Sequence, residues 1–365
     1  MPDKYSEPED ARLLRTSLDP PDLESDSDYS SPAPTPDVAL DDPSHRLSPS
    51  DRPTLAEIFR HSGWRRDRRR VWRALGRTRQ SFSRVQAFAS CGASAYVYRT
   101  PDPPHEYFLA GSSCHDRFCV PCARVRGDRL ALEILHTLDG QPVRFLTLTI
   151  RHTDSPLSDQ LDHLYASFRR LRATTLWKRS CSGGCAILEI THSDTSDAWH
   201  PHLHVLMHGG YISQSLVKAA WLKATGDSSI VDIRMVRSED HIARYVSKYV
   251  AKPFDRSIID REDLLDELII ATRNRRMVVT FGGWRGIRLT QTAGDHDWEL
   301  LGSLDDVARA ARSGDAESMR ALRYVAGDRT DDVLDLVVAG LPPPRPVQAP
   351  DPQQQWEWAV TYPRY

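Results

Sequence analysis

The stretch Trp199-His200-Pro201-His202-Leu203-His204-Val205-Leu206-Met207-His208 places two histidines inside an apolar run. Successive side chains of a β-strand point to opposite faces, so residues two apart share a face. His202 and His204 therefore point the same way, while Leu203 and Val205 turn to the other side. The pattern predicts a buried strand on which two imidazoles can serve one cation. Taken alone, such a pair is more often structural, so both roles are open at this point.

Two tyrosines lie on a helix that the sequence predicts over residues 239–252, within Arg244-Tyr245-Val246-Ser247-Lys248-Tyr249-Val250-Ala251-Lys252. Side chains four residues apart share a helix face, so Tyr245 and Tyr249 present both hydroxyls together. The same stripe continues through three apolar residues, Ile242, Val246 and Val250. Such a stripe is also typical of a helix packed on a core. Catalytic and structural roles are both open for the tyrosines at this point.

Apolar periodicity around these two pairs predicts the fold class. Runs rich in β-branched residues predict strands at 143–150, 185–192, 202–207, 230–236 and 275–281. Helical spacing predicts helices at 156–178, 213–225, 239–252 and 304–326. Residues 185–207 read as a hairpin across a polar turn. We expect an α+β fold with a mainly antiparallel central sheet flanked by helices.

Composition divides the 365-residue chain into regions of different character. It is 40% hydrophobic and 27% charged, as in an ordinary globular protein. Residues 1–50 carry 12 acidic residues against 4 Lys or Arg, whereas the rest carries 38 acidic residues against 44 Lys or Arg. The predicted regions are a disordered acidic leader (1–50), a basic helical segment (51–84), a cysteine-rich zinc-binding module (85–135), a central domain (140–290), a helical C-terminal extension (291–340) and a Pro/Gln-rich tail (341–365).

Two features bear on the cell compartment and on partners. No run approaches the roughly 20 apolar residues of a membrane span, and no signal pattern opens the chain, so we expect a cytoplasmic protein that does not bind membranes. Arginines recur through residues 51–84 with Trp64 and Trp72 interleaved. This segment is either a solvated helix face or a surface that contacts backbone phosphates.

Four of the six cysteines cluster in one region, and Cys119-Val-Pro-Cys122 has the spacing of a zinc knuckle. The candidate zinc ligands are Cys91, Cys114, Cys119 and Cys122. The distance in sequence from Cys91 is long, so His105 or His115 remains an alternative fourth ligand. Cys181 and Cys185 flank a predicted Gly-Gly turn, and we expect them to be unligated.

The motifs together resemble those of the HUH endonucleases. His202-Leu203-His204 is similar to their His-hydrophobe-His motif, and the strand Phe145-Leu-Thr-Leu-Thr149 is similar to their first motif. Tyr245-Val-Ser-Lys-Tyr249-Val-Ala-Lys252 resembles their tyrosine motif in its two-tyrosine form. Cys114-His-Asp-Arg117-Phe-Cys119-Val-Pro-Cys122 resembles the cysteine-rich stretch of rolling-circle replication initiators from small plasmids and microvirus-type phages. The likeness covers roughly residues 86–290, and it implies that residues 140–290 form an HUH endonuclease domain.

The resemblance implies a metal-dependent nickase and strand transferase. Tyr249 would attack a DNA phosphate to give a 5′-phosphotyrosine and a free 3′-OH, and Tyr245 would serve as a second nucleophile that allows rejoining. Lys248 and Lys252 would assist, or would contact DNA phosphate. Mn²⁺ or Mg²⁺ would be the catalytic ion, beside structural Zn²⁺.

The catalytic ion needs a third ligand besides His202 and His204. We expect Glu189 to supply it, because the predicted hairpin brings the preceding strand close to the histidines. His200 shares their face and is the rival ligand. Glu189 could also be an ordinary surface carboxylate.

The same resemblance implies partners. Single-stranded or hairpin origin DNA would be the substrate, with bases stacked on exposed aromatics. The tryptophans that could stack, or could instead pack in the core, are Trp64, Trp72, Trp177 and Trp284. No P-loop motif is present in the sequence, so a host helicase and DNA polymerase would be required. A single-strand transposase with the same site and a non-catalytic zinc-binding DNA regulator are the alternatives.

Overall fold

The computed structural model describes residues 53–138, 143–236, 238–251, 254–285, 297–338 and 340–341. The predicted acidic leader at 1–50, Lys252 and residues 342–365 lie outside these ranges. None of the described helices is both long and apolar enough to cross a membrane.

Helices and a hairpin form the first part of the described chain. Thr54 begins it with a capping box, in which its hydroxyl accepts from the Glu57 N–H and the Glu57 carboxylate accepts from the Thr54 N–H. In chain order the elements are α1 (Leu55–Arg60), α2 (Arg65–Arg77), α3 (Phe82–Ala89), β1 (Ala95–Arg99), β2 (Tyr107–Gly111) and α4 (Val120–Thr137). The basic segment therefore forms two helices and the start of a third.

A five-stranded antiparallel sheet follows and confirms the predicted α+β class. Its elements are β3 (Val143–Thr149), α5 (Leu157–Ala173), α6 (Thr175–Ser180), β4 (Gly183–Ser193), β5 (Ala198–His208), α7 (Gln214–Thr225), β6 (Val231–Val236), α8 (Glu239–Ala251), a 3₁₀ turn (Arg256–Asp260), α9 (Glu262–Ala271) and β7 (Val278–Gly282). The strand order is β6-β3-β5-β4-β7. The predicted helix at 156–178 is two helices, because Thr174 has extended backbone angles between α5 and α6.

The predicted hairpin joins β4 to β5 and pairs Glu189 with His202. The sheet has an apolar core on each face. Leu203 and Val205 belong to the core on one face. Leu206 and Phe145 belong to the core on the other face, which α4 and α8 cover. Residues two apart thus share a face, as the sequence predicts.

The last described segment returns to the N-terminal hairpin. Its elements are β8 (Glu299–Ser303), α10 (Leu304–Arg312), α11 (Ala316–Ala326), a 3₁₀ turn (Gly327–Arg329) and α12 (Thr330–Val338). β8 pairs with β1, which gives a second sheet of order β2-β1-β8. The prediction of one helix over 304–326 is wrong, because Gly314 has a φ of +98° and ends the first helix.

The predicted Gly-Gly turn is also wrong, since Gly183 and Gly184 begin β4. A Cβ on Gly184 would overlap the Leu206 carbonyl oxygen and would lie 2.8 Å from the Phe281 ring. The glycine therefore allows close backbone packing at the centre of the sheet.

We expect Gly184→Ala to destabilise the protein by about 1–3 kcal/mol, because the new methyl group forces the backbone of β4 away from β5. Gly210→Ala is the matched control, since a Cβ there has no neighbour within 4 Å. Chemical denaturation measures both. Equal stability of the two variants would contradict the packing role of Gly184.

Candidate active site and metal centre

Two threonines of β3 position the two histidines of β5. The register places Thr149 opposite His202 and Thr147 opposite His204. The Thr149 hydroxyl lies 3.2 Å from Nδ1 of His202, and the Thr147 hydroxyl lies 3.4 Å from Nδ1 of His204. A hydroxyl can donate or accept, so it can hold either ring tautomer. Engaging Nδ1 leaves Nε2 of each ring as the atom that faces a ligand.

Glu189 lies against the histidine pair. Nε2 of His204 is 2.6 Å from Oε2 of Glu189. Burial alone would raise the Glu189 pKa, but the His204 hydrogen bond and the nearby His202 and Lys248 hold that pKa below its usual value. Burial also lowers the pKa of His202, which leaves this imidazole neutral and able to bind a metal. The structure thus places two imidazoles and an ionised carboxylate on one face.

His200, the rival ligand, has different neighbours. Its ring lies 4.7 Å, centre to centre, from the His152 ring. The His202 and His204 ring centres are 6.4 Å apart. His204 and Glu189 share a hydrogen bond. A cation could take the place of the proton between these two side chains.

Both tyrosines of α8 lie beside this group. The Tyr249 ring stacks on the His204 ring, with centres 3.7 Å apart and planes inclined by 20°. The Phe145 ring contacts Tyr245 at 4.1 Å and Tyr249 at 5.8 Å. Both tyrosines are half-buried, whereas the rest of the predicted stripe, Ile242, Val246 and Val250, is buried. The helix therefore packs through its aliphatic residues and presents the tyrosines at the edge of the core.

The Tyr249 hydroxyl is a protonated phenol at neutral pH. Burial raises its pKa to about 12, and the negative charge of Glu189 and the neighbouring Tyr245 add to this effect. The Lys248 ammonium lies 5.7 Å from the Tyr249 ring centre. The predicted partner Lys252 lies outside the described residues.

The four predicted zinc ligands meet at a second centre. In the described part of the chain, they form the one group of three or more His, Cys, Asp or Glu residues whose ligand atoms all lie within 4.8 Å. Sulfur separations are 3.8 Å for Cys91–Cys119 and 3.6 Å for both Cys91–Cys122 and Cys114–Cys122. Tetrahedral zinc with Zn–S bonds of about 2.3 Å requires sulfurs about 3.8 Å apart. The cluster therefore fits zinc and is far too open for disulfides.

Charged and polar groups surround the sulfurs. The Arg60 guanidinium donates to Cys122 Sγ at 3.3 Å, and the Ser113 hydroxyl lies 3.2 Å from the same atom. Hydrogen bonds with Cys114 and Cys119 lower the Cys122 pKa, with Arg60 contributing. This half-buried cation beside the cluster offsets the negative charge that four thiolates bring.

The alternative ligands do not belong to this cluster. His105 Nδ1 is bonded to the Thr100 carbonyl at 2.8 Å, and His115 is exposed. Burial raises the pKa of Cys181 to about 11 and that of Cys185 to about 12, so both thiols stay protonated.

Helix α4 connects the two centres. Cys119 is its N-cap and Cys122 lies in its first turn. Further along, Leu130 and Ile134 pack in one core with the aliphatic side of α8. The cysteine cluster thus fixes the start of the helix against which the tyrosine helix rests.

The tryptophans divide by burial. Trp64, Trp177 and Trp284 are at most 5% exposed and pack in the core, so they cannot stack on bases. Trp72 on α2 is 42% exposed and remains available for stacking.

Three residues of the strand compared with the first HUH motif contact the site, although their individual roles were not predicted from the sequence. Phe145, Thr147 and Thr149 alternate along β3 and contact the His and Tyr pairs. The signal was present, because a Thr-x-Thr strand that pairs with a His-x-His strand places four polar side chains on one face.

Comparison with known proteins gives one family. The chain matches the replication protein family over residues 107–324, more than half of its length. The protein rep of Bacillus sp. is 29% identical over 175 residues, covering 44% of this chain and 57% of that protein. The protein rep of Staphylococcus aureus is 31% identical over 166 residues, covering 40% of this chain and 71% of that protein.

A third relative covers more of this chain. The protein rep of Bacillus amyloliquefaciens is 25% identical over 245 residues, covering 63% of this chain and 68% of that protein. The chain spans less than two thirds of the Bacillus sp. protein. No solved structure matches the chain.

We expect the purified protein to carry one zinc ion per chain and Cys119→Ala to lose it. Structural zinc in small domains contributes about 10 kcal/mol or more at neutral pH, so the melting temperature should fall sharply. Cys181→Ala is the control and should keep its zinc. Elemental analysis and thermal unfolding measure both effects. A zinc-free wild-type protein with unchanged melting after chelation would contradict the assignment.

We expect the Thr147→Val and Thr149→Val double variant to bind Mn²⁺ about 10- to 100-fold more weakly, because the imidazoles lose the groups that orient them. Valine keeps the shape and strand preference of threonine, so the fold should persist. Thr280→Val on β7 is the matched control. Calorimetric titration with Mn²⁺ measures the affinity, and an unchanged affinity in a folded double variant would contradict the positioning role.

Proposed function

The chain belongs to the replication protein family, and on that premise we propose that it is a rolling-circle initiator, a metal-dependent nickase and strand transferase. It nicks single-stranded origin DNA through a tyrosine, leaves a free 3′-OH and later rejoins the strand. The observation that carries this proposal is the stacking of Tyr249 on His204 at 3.7 Å, with His204 hydrogen-bonded to Glu189. The proposed nucleophile is thus in direct contact with a proposed metal ligand.

The proposed step is a transesterification. The Tyr249 oxygen attacks the scissile phosphorus, a tyrosine–phosphate bond forms, and the bond from phosphorus to the 3′ oxygen breaks. Tyr249 gives up its proton, and the departing 3′ oxygen gains one. The phosphodiester energy is retained in the 5′-phosphotyrosine, so the strand can be rejoined without another energy source.

His202, His204 and Glu189 are the proposed ligands of a divalent cation. When bound, Mn²⁺ or Mg²⁺ would polarise a non-bridging phosphate oxygen. The threonines of β3 orient the imidazoles, and Glu189 supplies a negative charge for the cation. The negative charge of Glu189 also raises the Tyr249 pKa. A cation that neutralises this charge would therefore favour loss of the phenol proton. Lys248 and Lys252 are proposed to assist by lowering the same barrier or by holding DNA phosphate.

Tyr245 is proposed as the second nucleophile. Its ring lies 5.8 Å from that of Tyr249, with planes inclined by 23°, and both contact Phe145. One tyrosine can hold the 5′ end while the other cuts the strand again at the end of a replication round. This arrangement allows a single chain to begin and end replication.

We also propose the DNA substrate, the partners and the domains that take part in this reaction. Single-stranded or hairpin origin DNA is the proposed substrate, and the protein is proposed to act in the cytoplasm with a host helicase and DNA polymerase. Residues 140–290 form the endonuclease domain, residues 85–135 the zinc-binding module and residues 291–340 an extension. The family match favours an initiator over a transposase, and the stacked Tyr249 favours a catalyst over a DNA-binding regulator.

We expect a metal-dependent covalent product when the protein meets single-stranded DNA from its own replicon. Tyr249→Phe should lower the initial nicking rate by at least about 100-fold, since a tyrosine oxygen is the atom that forms the new bond. Tyr245→Phe should leave first-strand nicking largely intact and impair rejoining. Denaturing gels with 5′- and 3′-labelled strands measure each product.

The control is the double phenylalanine variant, which keeps both rings and should bind DNA without forming an adduct. His202→Ala should also fail to nick. A wild-type protein that binds the replicon strand but forms no adduct anywhere along it would contradict the proposal and favour the regulator.

A further inference from the structure

A cavity of about 250 Å³ has Tyr249 in its lining. Four elements form it: the end of α8, the start of α4, and β4 and β7 where their pairing ends. The arginines that line it are Arg117, Arg126, Arg275 and Arg276. The mechanism above gives this cavity no role.

The cavity carries excess positive charge, because none of the described residues that line it is acidic. Arg275 pairs with Asp162, whereas among the described residues Arg117 donates to the neutral carbonyls of Thr272 and Arg275, at 2.9 and 2.8 Å. Arg126 donates to the His115 carbonyl.

Arg276 is exposed, and its guanidinium has no hydrogen-bond or ion-pair partner among the described residues, whereas its carbonyl accepts from the Tyr165 hydroxyl at 2.6 Å. An anion in the cavity would offset the positive charge of the guanidinium groups that line it.

One wall of the cavity is apolar. This wall lies where β4 meets the start of β7. There the Leu188 N–H donates to the Met277 carbonyl at 2.8 Å, and Ile187 pairs with Val278. An apolar wall opposite guanidinium groups suits a ligand with a flat ring and a phosphate. The volume is near the lower end of small-molecule sites, which start at roughly 300 Å³, so it has room for about one nucleotide.

We propose that this cavity binds one nucleotide of the single strand next to the scissile phosphate, with its phosphate on the arginines and its base on the apolar wall. The inference rests on the proposed function, because Tyr249 is both the nucleophile and part of the cavity lining. The bound nucleotide would fix the strand in register with Tyr249 and so select the phosphate that is cut.

The first test measures binding without cleavage. The Tyr245→Phe, Tyr249→Phe protein is titrated with a homothymidine oligonucleotide at several salt concentrations by fluorescence anisotropy. Each phosphate contact on a single strand contributes about 0.7 to the slope of log affinity against log salt. Adding Arg276→Ala should lower this slope by about 0.7. Arg320→Ala, an exposed arginine on α11, is the matched control and should leave the slope unchanged.

The second test locates the contact. Single methylphosphonates, which remove one phosphate charge, are stepped along an oligonucleotide that contains the mapped nick site. A methylphosphonate at one position beside the nick should weaken binding by the Tyr245→Phe, Tyr249→Phe protein. Adding Arg276→Ala should abolish the effect at that position alone. Equal penalties with and without Arg276 at every position, or an unchanged salt slope, would overturn the proposal.

The two proposals fail separately. A salt slope that Arg276→Ala lowers, without any nicking by wild-type protein, would keep the cavity as a strand-binding site and reject the nickase. Nicking by wild-type protein, with no effect of Arg276→Ala on either binding measurement, would reject the cavity and keep the nickase.

Discussion

The antiparallel register of β3, β5 and β4 is the constraint on which the site depends. It sets Thr149 and Glu189 on either side of His202, so three strands contribute to one polar patch. A slip of one residue would turn every one of these side chains to the opposite face. Both faces of the sheet are buried, with Leu203 on one and Leu206 on the other, and this apolar packing holds the register. The alternation of apolar residues thus positions the imidazoles, together with their polar contacts to β3.

The tyrosines depend on a second chain of contacts. The four sulfurs hold the start of α4, α4 packs against the aliphatic side of α8, and α8 presents Tyr249 to His204. The cysteine cluster is not a separate knuckle, because Cys91 and Cys119 are fully buried in the same core as Phe118 and Trp64. A metal at this centre would therefore stabilise the support of the nucleophile as well as a local loop.

Local periodicity was enough to predict the strand of His202 and His204, the β4–β5 hairpin and the tyrosine helix. Each is a pattern of spacing two or four within a short segment, which is the information that a single sequence holds well. The pairing of β8 with β1 could not be predicted, since it joins Glu299 to Arg99 across most of the chain. The basic cavity could not be predicted from the sequence either, because Arg117, Arg126 and Arg276 come together only once distant elements have packed.

The most direct test of the central claim is to identify the amino acid that carries the DNA. Trypsin cleaves after Arg244 and after Lys248, so Tyr245 and Tyr249 fall on different peptides. The covalent product of wild-type protein would be digested with nuclease and trypsin and examined by mass spectrometry. We expect the first-formed adduct to be a nucleotide phosphate on the peptide that begins at Tyr249. A first-formed adduct on Tyr245 or on any other residue, or no modified peptide from a reaction that nicks the strand, would contradict the assignment of Tyr249 as nucleophile.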